Sequence, residues 1–518
     1  MEDMNILWID DEIDMLKAHI IFLEEKGYKL TTSNNGGDAI DLIHDNHFDV
    51  VFLDEQMPGM SGIETLDKIK QLKPNLPVVM ITKSEEESIM EEAFGSRIMD
   101  YLIKPVNPNQ ILSTLKKILE TKKLVSDKAT QSYQQEFAKI GMALNQDLTY
   151  KEWVDIYKKL VRWELELESA TDSGIGSILE EQKEEANHIF CKFFERHYQN
   201  WLNETKEEKP TLSHTLIRDK LFPYLNDNVP TYFILIDNLR YDQWKTLQPV
   251  IEENYNTLID DLYYGIIPSA TQYARNSLFS GLLPNEIKKK YPQYWVDEYE
   301  EETKNKYEEP LLGELLKRFG KSNIKYSYNK VLNLNAGRRL LENLPNLEHN
   351  KLNIIVYNFI DTLSHARTDM EIIKELAEDE IAYRSLTKSW FEHSPLNEIL
   401  QELSEKEARV IITTDHGSVK TRNPVKVLGD RETNTNLRYK FGKNLQYKAK
   451  EVYEVNNPES LFLPKMNIST SFIFTRNYDF LVYPNNYNQY VKLYKDSFQH
   501  GGISMEELLL PFAVLNPK

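Results

Sequence analysis

The chain has 518 residues, of which 41% are hydrophobic and 28% charged, and a formal net charge of −19. That length predicts about three domains, and the acidic balance argues against duplex DNA as the main partner of the whole surface, while leaving room for a local basic patch. Cys191 is the only cysteine, which excludes intrachain disulfides and thiolate clusters and fits a reducing compartment. Its neighbours Phe190, Phe193 and Phe194 make it a core residue. No apolar run is long enough to cross a membrane, and Met1-Glu2-Asp3 opens without a basic or apolar leader. The expectation is a cytoplasmic protein with no membrane insertion.

In the first 120 residues, short apolar runs alternate with helical stretches. The runs are Asn5–Asp10, Lys29–Ser33, Val50–Asp54, Val78–Thr82 and Tyr101–Pro105. Such alternation predicts a doubly wound parallel sheet with its functional groups at the strand C-termini. Those ends carry Asp10 and Asp11, Asp54, Thr82 and Lys104. The chemistry that fits is phosphoryl transfer to Asp54. Asp10 and Asp11 would hold Mg²⁺ beside it, Lys104 would pair with the phosphate, and Thr82 would hydrogen-bond it.

The stretches "IDDE", "LDEQMPGMSG", "MIT" and "YLIKP", in this order and spacing, resemble the receiver domain of bacterial response regulators. The resemblance implies a sensor histidine kinase as partner and Tyr101 as an aromatic that turns inward on activation. It also implies self-association to a dimer on phosphorylation. Lys83 departs from the family pattern, where a small residue usually follows the threonine.

Residues 121–208 contain no strand-like run. Trp153, Ile156, Tyr157, Leu160 and Val161 recur at helical spacing, as do Leu179, Ala186, Ile189, Phe190, Phe193, His197 and Trp201. This predicts a helical bundle that packs on its neighbours, with His188 and His197 as packing or surface residues. No recognition-helix pattern is present, so no duplex DNA-binding domain is expected.

Residues 209–518 hold three further buried strands: "YFILID" ending at Asp237, "NIIVY" leading to Asp361 and His365, and "RVIITTDHGS" ending in Asp415 and His416. Asp361 and His365 are four apart, so one helical turn brings them to one side. In "QHGG", His500 precedes two glycines. Three acids and three histidines, nearly all at strand ends or beside glycine, suit two zinc ions per chain. "IPSATQYARNSLFSGLLP" reads as a helix with Thr271 in its first turn and Arg275 one turn on. Backbone N–H groups there favour an anion, so Thr271 is a candidate nucleophile. Ser269 is the better helix cap.

The order Asp, Thr, Asp-x-x-x-His, Asp-His, His is similar to the alkaline phosphatase superfamily in its phosphodiesterase branch. The text around it resembles a PglZ domain. The resemblance implies one zinc on Asp361, His365 and His500. It implies a second on Asp237, Asp415 and His416, with Thr271 as metal-coordinated nucleophile. Asn238 and Arg275 are candidates for holding the phosphate. The Cys/Ser-x-Pro-x-Arg motif of sulfatases is absent. The expected fold class is α/β: a doubly wound receiver (1–120), a helical-bundle linker (121–208) and a larger α/β alkaline-phosphatase-like domain (209–518). This order of domains resembles PorX-type response regulators, which implies a link to type IX secretion.

Between Lys420 and Lys450 lie nine basic residues: Lys420, Arg422, Lys426, Arg431, Arg438, Lys440, Lys443, Lys448 and Lys450. Tyr439, Phe441 and Tyr447 are interleaved. Either this loop grips a nucleotide or oligonucleotide substrate, with Lys440 and Lys443 as candidates, or it contacts the acidic remainder of the protein. In the superfamily that the chain resembles, a threonine nucleophile is seen in the diesterase branch, so the resemblance implies phosphodiesters. The alternative function is a phosphorylation-controlled docking module for a transcription factor or secretion component.

Overall fold

A computed structural model describes residues 4–73, 76–83, 98–168, 173–203, 208–297, 300, 303–430, 433–465, 467 and 469–518. The chain forms two compact bodies, Met1–Lys128 and Ala129–Lys518.

The first body is built on β1 (Asn5–Ile9), β2 (Lys29–Ser33), β3 (Val50–Asp54), β4 (Val78–Thr82) and β5 (Asp100–Ile103). They pair in parallel in the order β2-β1-β3-β4-β5. β3 and β4 are buried along their whole length, as expected for strands covered on both faces. One face carries Leu7, Leu53 and Met80 against Ala39 and Ile43 of the helix Gly36–Asp45 and Leu66 and Ile69 of the helix Gly62–Leu72. The other carries Trp8, Phe52 and Ile81 against Leu23, Ile111 and Leu115. Ser61 starts the helix Gly62–Leu72 with a reciprocal capping box to Glu64. Strand order reverses between β1 and β3, which opens a crevice at their C-terminal ends.

In the second body, the helices Tyr150–Leu167 and Ser173–Leu202 present the expected apolar faces. These faces do not form a core of their own. Trp153, Tyr157, Phe190, Phe194 and Trp201 belong to one continuous cluster with Tyr232, Ile234, Val410 and Leu515 of the large sheet. Cys191 is fully buried there and its thiol donates to the carbonyl of Ile503. His197 packs between Phe193 and Trp201.

The remaining strands, in chain order, are β6 (Thr231–Ile236), β7 (Tyr255–Tyr264), β8 (Tyr326–Val331), β9 (Leu352–Tyr357) and β10 (Arg409–Thr413). The short β11 (Val419–Lys420), β12 (Asn423–Lys426), β13 (Tyr439–Gly442) and β14 (Val452–Val455) follow. The last are β15 (Ser471–Thr475), β16 (Asp479–Val482), β17 (Phe498–Gln499) and β18 (Leu509–Pro517). Six of them make the large sheet, in the order β7-β18-β10-β6-β9-β8. β10, β6, β9 and β8 run parallel, and β18 is antiparallel to both β10 and β7. Alternate residues serve opposite faces: Ile234 and Ile412 enter the core shared with the helices, while Phe233, Leu235 and Ile411 enter a second cluster with Phe279 and Leu312. The three strands expected to deliver ligands are therefore neighbours at the centre of the sheet. β11 pairs antiparallel with β17, Val419 against Gln499, which draws the chain after His416 to the chain before His500. No helix among the described residues is long and apolar enough to cross a membrane.

Candidate functional site

In the first body, the ends of β1, β3 and β5 bring Asp10, Asp11, Asp54 and Lys104 together. Ligand atoms of Asp10, Asp11 and Asp54 lie within 4.8 Å of one another. The Lys104 ammonium is 2.9 Å from Asp54 Oδ1 and 3.1 Å from Asp10 Oδ2. Burial raises the Asp54 carboxyl above the ordinary aspartate range, with Lys104 opposing. Lys104 is held above the lysine range: burial works against its charge, but Asp54 and Asp10 outweigh it. Thr82 Oγ1 donates to Glu55, and Tyr101 is half-buried. A buried aspartate, two acids that fit a divalent cation and a fixed lysine thus meet in one pocket at the strand ends.

The second body holds the larger site. Asp237 follows β6 directly and is fully buried. Asp415 and His416 follow β10 after one intervening residue, Thr414, and are also fully buried. Thr414 Oγ1 accepts from the Leu239 amide and donates to the His416 carbonyl, which closes the turn and ties it to the Asp237 loop. Gly417 permits that turn. A Cβ there would lie 2.0 Å from the Glu506 carbonyl oxygen. The ligand atoms of Asp237, Asp415 and His416 fall within 4.8 Å of one another, with His416 Nε2 3.5 Å from Asp237 Oδ1.

Thr271 opens the helix Thr271–Ser280, and its Oγ1 is 3.0 Å from His416 Nε2. The cap position is Ala270, not Ser269. Ser269 instead ties the helix entry to the His500 loop. Its Oγ accepts from the Gly501 amide at 2.9 Å and donates to the Gly502 carbonyl, and its carbonyl oxygen lies 3.0 Å from His500 Nδ1. That contact turns His500 Nε2 toward Asp361 Oδ1, 3.6 Å away. Burial, with His416 beside it, pushes the His500 imidazole down to about 3, so it stands neutral, as a metal ligand must. The rings of His416 and His500 stack at 4.2 Å.

The expected grouping Asp361, His365 and His500 forms less tightly than expected. The structure converges Asp361 and His500 with His416. His365 Nε2 lies 3.6 Å from Asp361 Oδ2, but its side chain is 61% exposed and its ring is 6.0 Å from His500. The helical spacing did bring it beside Asp361, on the solvent side.

Both groups fit divalent cations. Asp237 Oδ1 and Asp415 Oδ1 are buried and accept no hydrogen bond. Burial holds the Asp237 carboxyl above the aspartate range, and the Asp415 charge adds to it against Arg275 and His416. A buried oxygen-and-imidazole set with such orphaned acceptors is the environment a cation relieves.

The expected substrate contacts fare differently. Arg275 has no exposure, and its guanidinium is spent on carboxylates: Nε donates to Asp415 Oδ2 at 2.9 Å, Nη1 faces Glu308 at 3.5 Å, and Nη2 pairs with Asp237. It is not aimed at a substrate. Asn238, at φ +64°, is buried and directs its amide to Ser364 Oγ at 3.3 Å and Asp361 Oδ1 at 3.5 Å. Lys440 is buried in β13. It donates to the Asn434 carbonyl at 2.7 Å and sits 4.9 Å over the Tyr483 ring, and burial pushes it down to about 7. Arg438 has no exposure and pairs with Glu507 at 2.6 Å. Arg422 reaches Glu180, and Lys448 reaches Glu451. Arg438 and Lys440 are thus consumed internally, because β13 and its approach draw them into the fold, whereas Lys426, Lys448 and Lys450 stay exposed. Lys443 stays half-buried, and Arg431 lies outside the described residues.

Glu308 and Glu507 were not singled out from the sequence. Each stands in a Glu-Glu pair, Glu308 being 33 residues from Arg275 and Glu507 seven from His500, and only the fold shows which acid of the pair reaches the site. Glu507 accepts from the Gly502 amide at 2.8 Å, and so fixes the loop that carries His500.

Three family models match the chain: the response regulator receiver domain over residues 6–116, the PorX response regulator linker domain over 123–202, and the BREX system PglZ alkaline phosphatase-like domain over 216–515. Curated relatives match at the N-terminal end. The transcriptional regulatory protein ZraR of Klebsiella oxytoca is 33% identical over 140 residues, which are 27% of this chain and 32% of that protein. The transcriptional regulatory protein SrrA of Staphylococcus aureus (strain NCTC 8325 / PS 47) is 31% identical over 114 residues, 22% of this chain and 47% of that one. The chain thus spans less than half the length of either relative. A crystal structure of a two-component response regulator from Clostridium difficile is 32% identical and covers 23% of this chain and 97% of its own, with a TM-score of 0.22. A receiver domain implies a histidine kinase as its phosphate donor. With more than half its length matched by the alkaline phosphatase-like model, this chain belongs to the PglZ family, in the domain order of a PorX-type response regulator.

Proposed function

We propose that the second body is a zinc-dependent phosphodiesterase acting on nucleotides or short oligonucleotides, and that phosphorylation of Asp54 controls it. The observation that carries this reading is Thr271 Oγ1, at a helix N-terminus and 3.0 Å from His416 Nε2, beside two ligand groups built from carboxylates and imidazoles. Asp237, Asp415 and His416 would hold one zinc ion; Asp361 and His500, with His365 on the open side, would hold the other. When bound, the ions supply Lewis acidity to the phosphoryl oxygens and favour ionised oxygen nucleophiles.

The chain's own groups account for the rest. The helix N-terminus at Thr271 favours negative charge on its hydroxyl and on a phosphate beside it. Thr271 Oγ attacks phosphorus in line, the alcohol of the ester leaves, and water hydrolyses the phosphothreonine. Asn238 holds Asp361, and Ser269 holds His500, so both ligands are oriented before substrate arrives. Of the substrate contacts named from the sequence, Lys443 is the remaining candidate cation.

In the receiver, Asp10 and Asp11 would hold Mg²⁺ and Lys104 would pair with the Asp54 phosphate. Phosphorylation would favour a dimer through the face that carries Tyr101. The PorX-type domain order supports a role in type IX secretion. The test of the enzyme reading is turnover of bis-p-nitrophenyl phosphate against the p-nitrophenyl monoester, by the wild type and Thr271→Ala. The diester should be preferred, and the variant should lose turnover by orders of magnitude while keeping its metal. A preferred monoester, or a fully active variant, refutes it.

A further inference from the structure

Resting on the metal reading above, we infer that Arg275 is the built-in counter-ion of the Asp237–Asp415 pair, which keeps that ligand group assembled when no metal is bound. Arg275 stands four residues after Thr271, on the same face of the helix. Its nitrogens address three carboxylates, those of Asp415, Asp237 and Glu308. Glu308 is itself 1% exposed and accepts from Lys330 at 3.1 Å and from the Tyr328 hydroxyl. Arg275 and Lys330 thus face three carboxyl groups, with the His416 imidazole 3.5 Å from Asp237 Oδ1.

The division of labour within the carboxylates is informative. Arg275 donates to Oδ2 of Asp415 and forms an ion pair with Oδ2 of Asp237, while Oδ1 of Asp415 and both oxygens of Asp237 accept no hydrogen bond. Arginine–carboxylate pairs are frequently bidentate, whereas this guanidinium divides itself among three carboxylates. A substrate clamp would need an exposed nitrogen, and this side chain has none. Arginine suits the task because its charge is permanent and its planar group reaches two acids at once. A bound divalent ion would take over part of the same compensation, so Arg275 stabilises the metal-free protein more than the loaded one.

The full-length protein is stripped with chelator, and its thermal midpoint is read before and after zinc chloride is added. Arg275→Met should lower the metal-free midpoint by about 5 °C or more. Zinc should close most of that gap, so the zinc-induced rise is larger in the variant than in the wild type. Arg275→Lys keeps the charge without the fork and should fall between them; it also carries the comparison if the methionine variant does not fold. A zinc-induced rise in the variants equal to or smaller than in the wild type overturns the counter-ion role alone. A wild type that shows no response to zinc overturns the metal reading and this inference together.

Discussion

Arg438→Met separates the two fates of the basic run most sharply. As a substrate cation, Arg438 would be dispensable for folding. In the structure it has no exposure and donates to Glu507 at 2.6 Å and 3.3 Å, and to the carbonyls of Asp479 and Arg476. Removing one partner of such a pair strands a buried carboxylate, at a cost of about 3–5 kcal/mol. With an unfolding entropy of about 2 cal/mol/K per residue, that lowers the midpoint of the larger body by about 4–6 °C. Glu507 also holds the Gly502 amide next to the His500 loop, so loosening it should cost about 10–100-fold in activity. Adding Glu507→Gln to Arg438→Met removes the stranded charge and should recover part of the lost midpoint. The assay is thermal unfolding of the wild type and the two variants, alongside kcat and KM for a short oligonucleotide. A wild-type midpoint for Arg438→Met with only KM raised would refute the structural role and return Arg438 to the substrate surface.

Gly417→Ala would drive a Cβ to 2.0 Å from a backbone oxygen, so the turn must open; overpacking of this kind costs about 1–3 kcal/mol, and metal content measured by mass spectrometry should fall with the midpoint. His416→Ala removes a nitrogen shared by both ligand groups and should lower the metal content, whereas full zinc occupancy would sink the assignment. In sedimentation, acetyl phosphate or beryllofluoride should raise the dimer fraction of the wild type but not of Asp54→Ala, and equal dimerisation of both would refute control through that pocket. Lys443→Glu should raise KM for oligonucleotides more than for bis-p-nitrophenyl phosphate, and equal effects would remove Lys443 from the substrate surface.

Local pattern carried the sheets and the placing of the candidate ligands at their edges. Runs such as Val50–Asp54 and Arg409–Thr413 are apolar on both faces, and only a strand covered on both sides buries such a run. Parallel strands place their functional groups at one edge, so Asp10, Asp54, Asp237 and Asp415 could be read as converging before any contact was known. Histidine and glycine beside those acids were legible for the same reason. Burial and charge partners were not. Arg275, Arg438 and Lys440 look like free cations in one dimension, but their environment is set by segments 33 to 140 residues away, among them Glu308, Glu507, Asp415 and Tyr483. His365 shows the same limit on a smaller scale. Its four-residue spacing from Asp361 fixed a shared side of one helix, but which neighbour completes the group depended on where the pairing of β11 with β17 set His416 and His500. Periodicity specifies what an element buries and where its ends lie; which charges meet at those ends depends on packing between elements distant in sequence, and only the tertiary structure decided that.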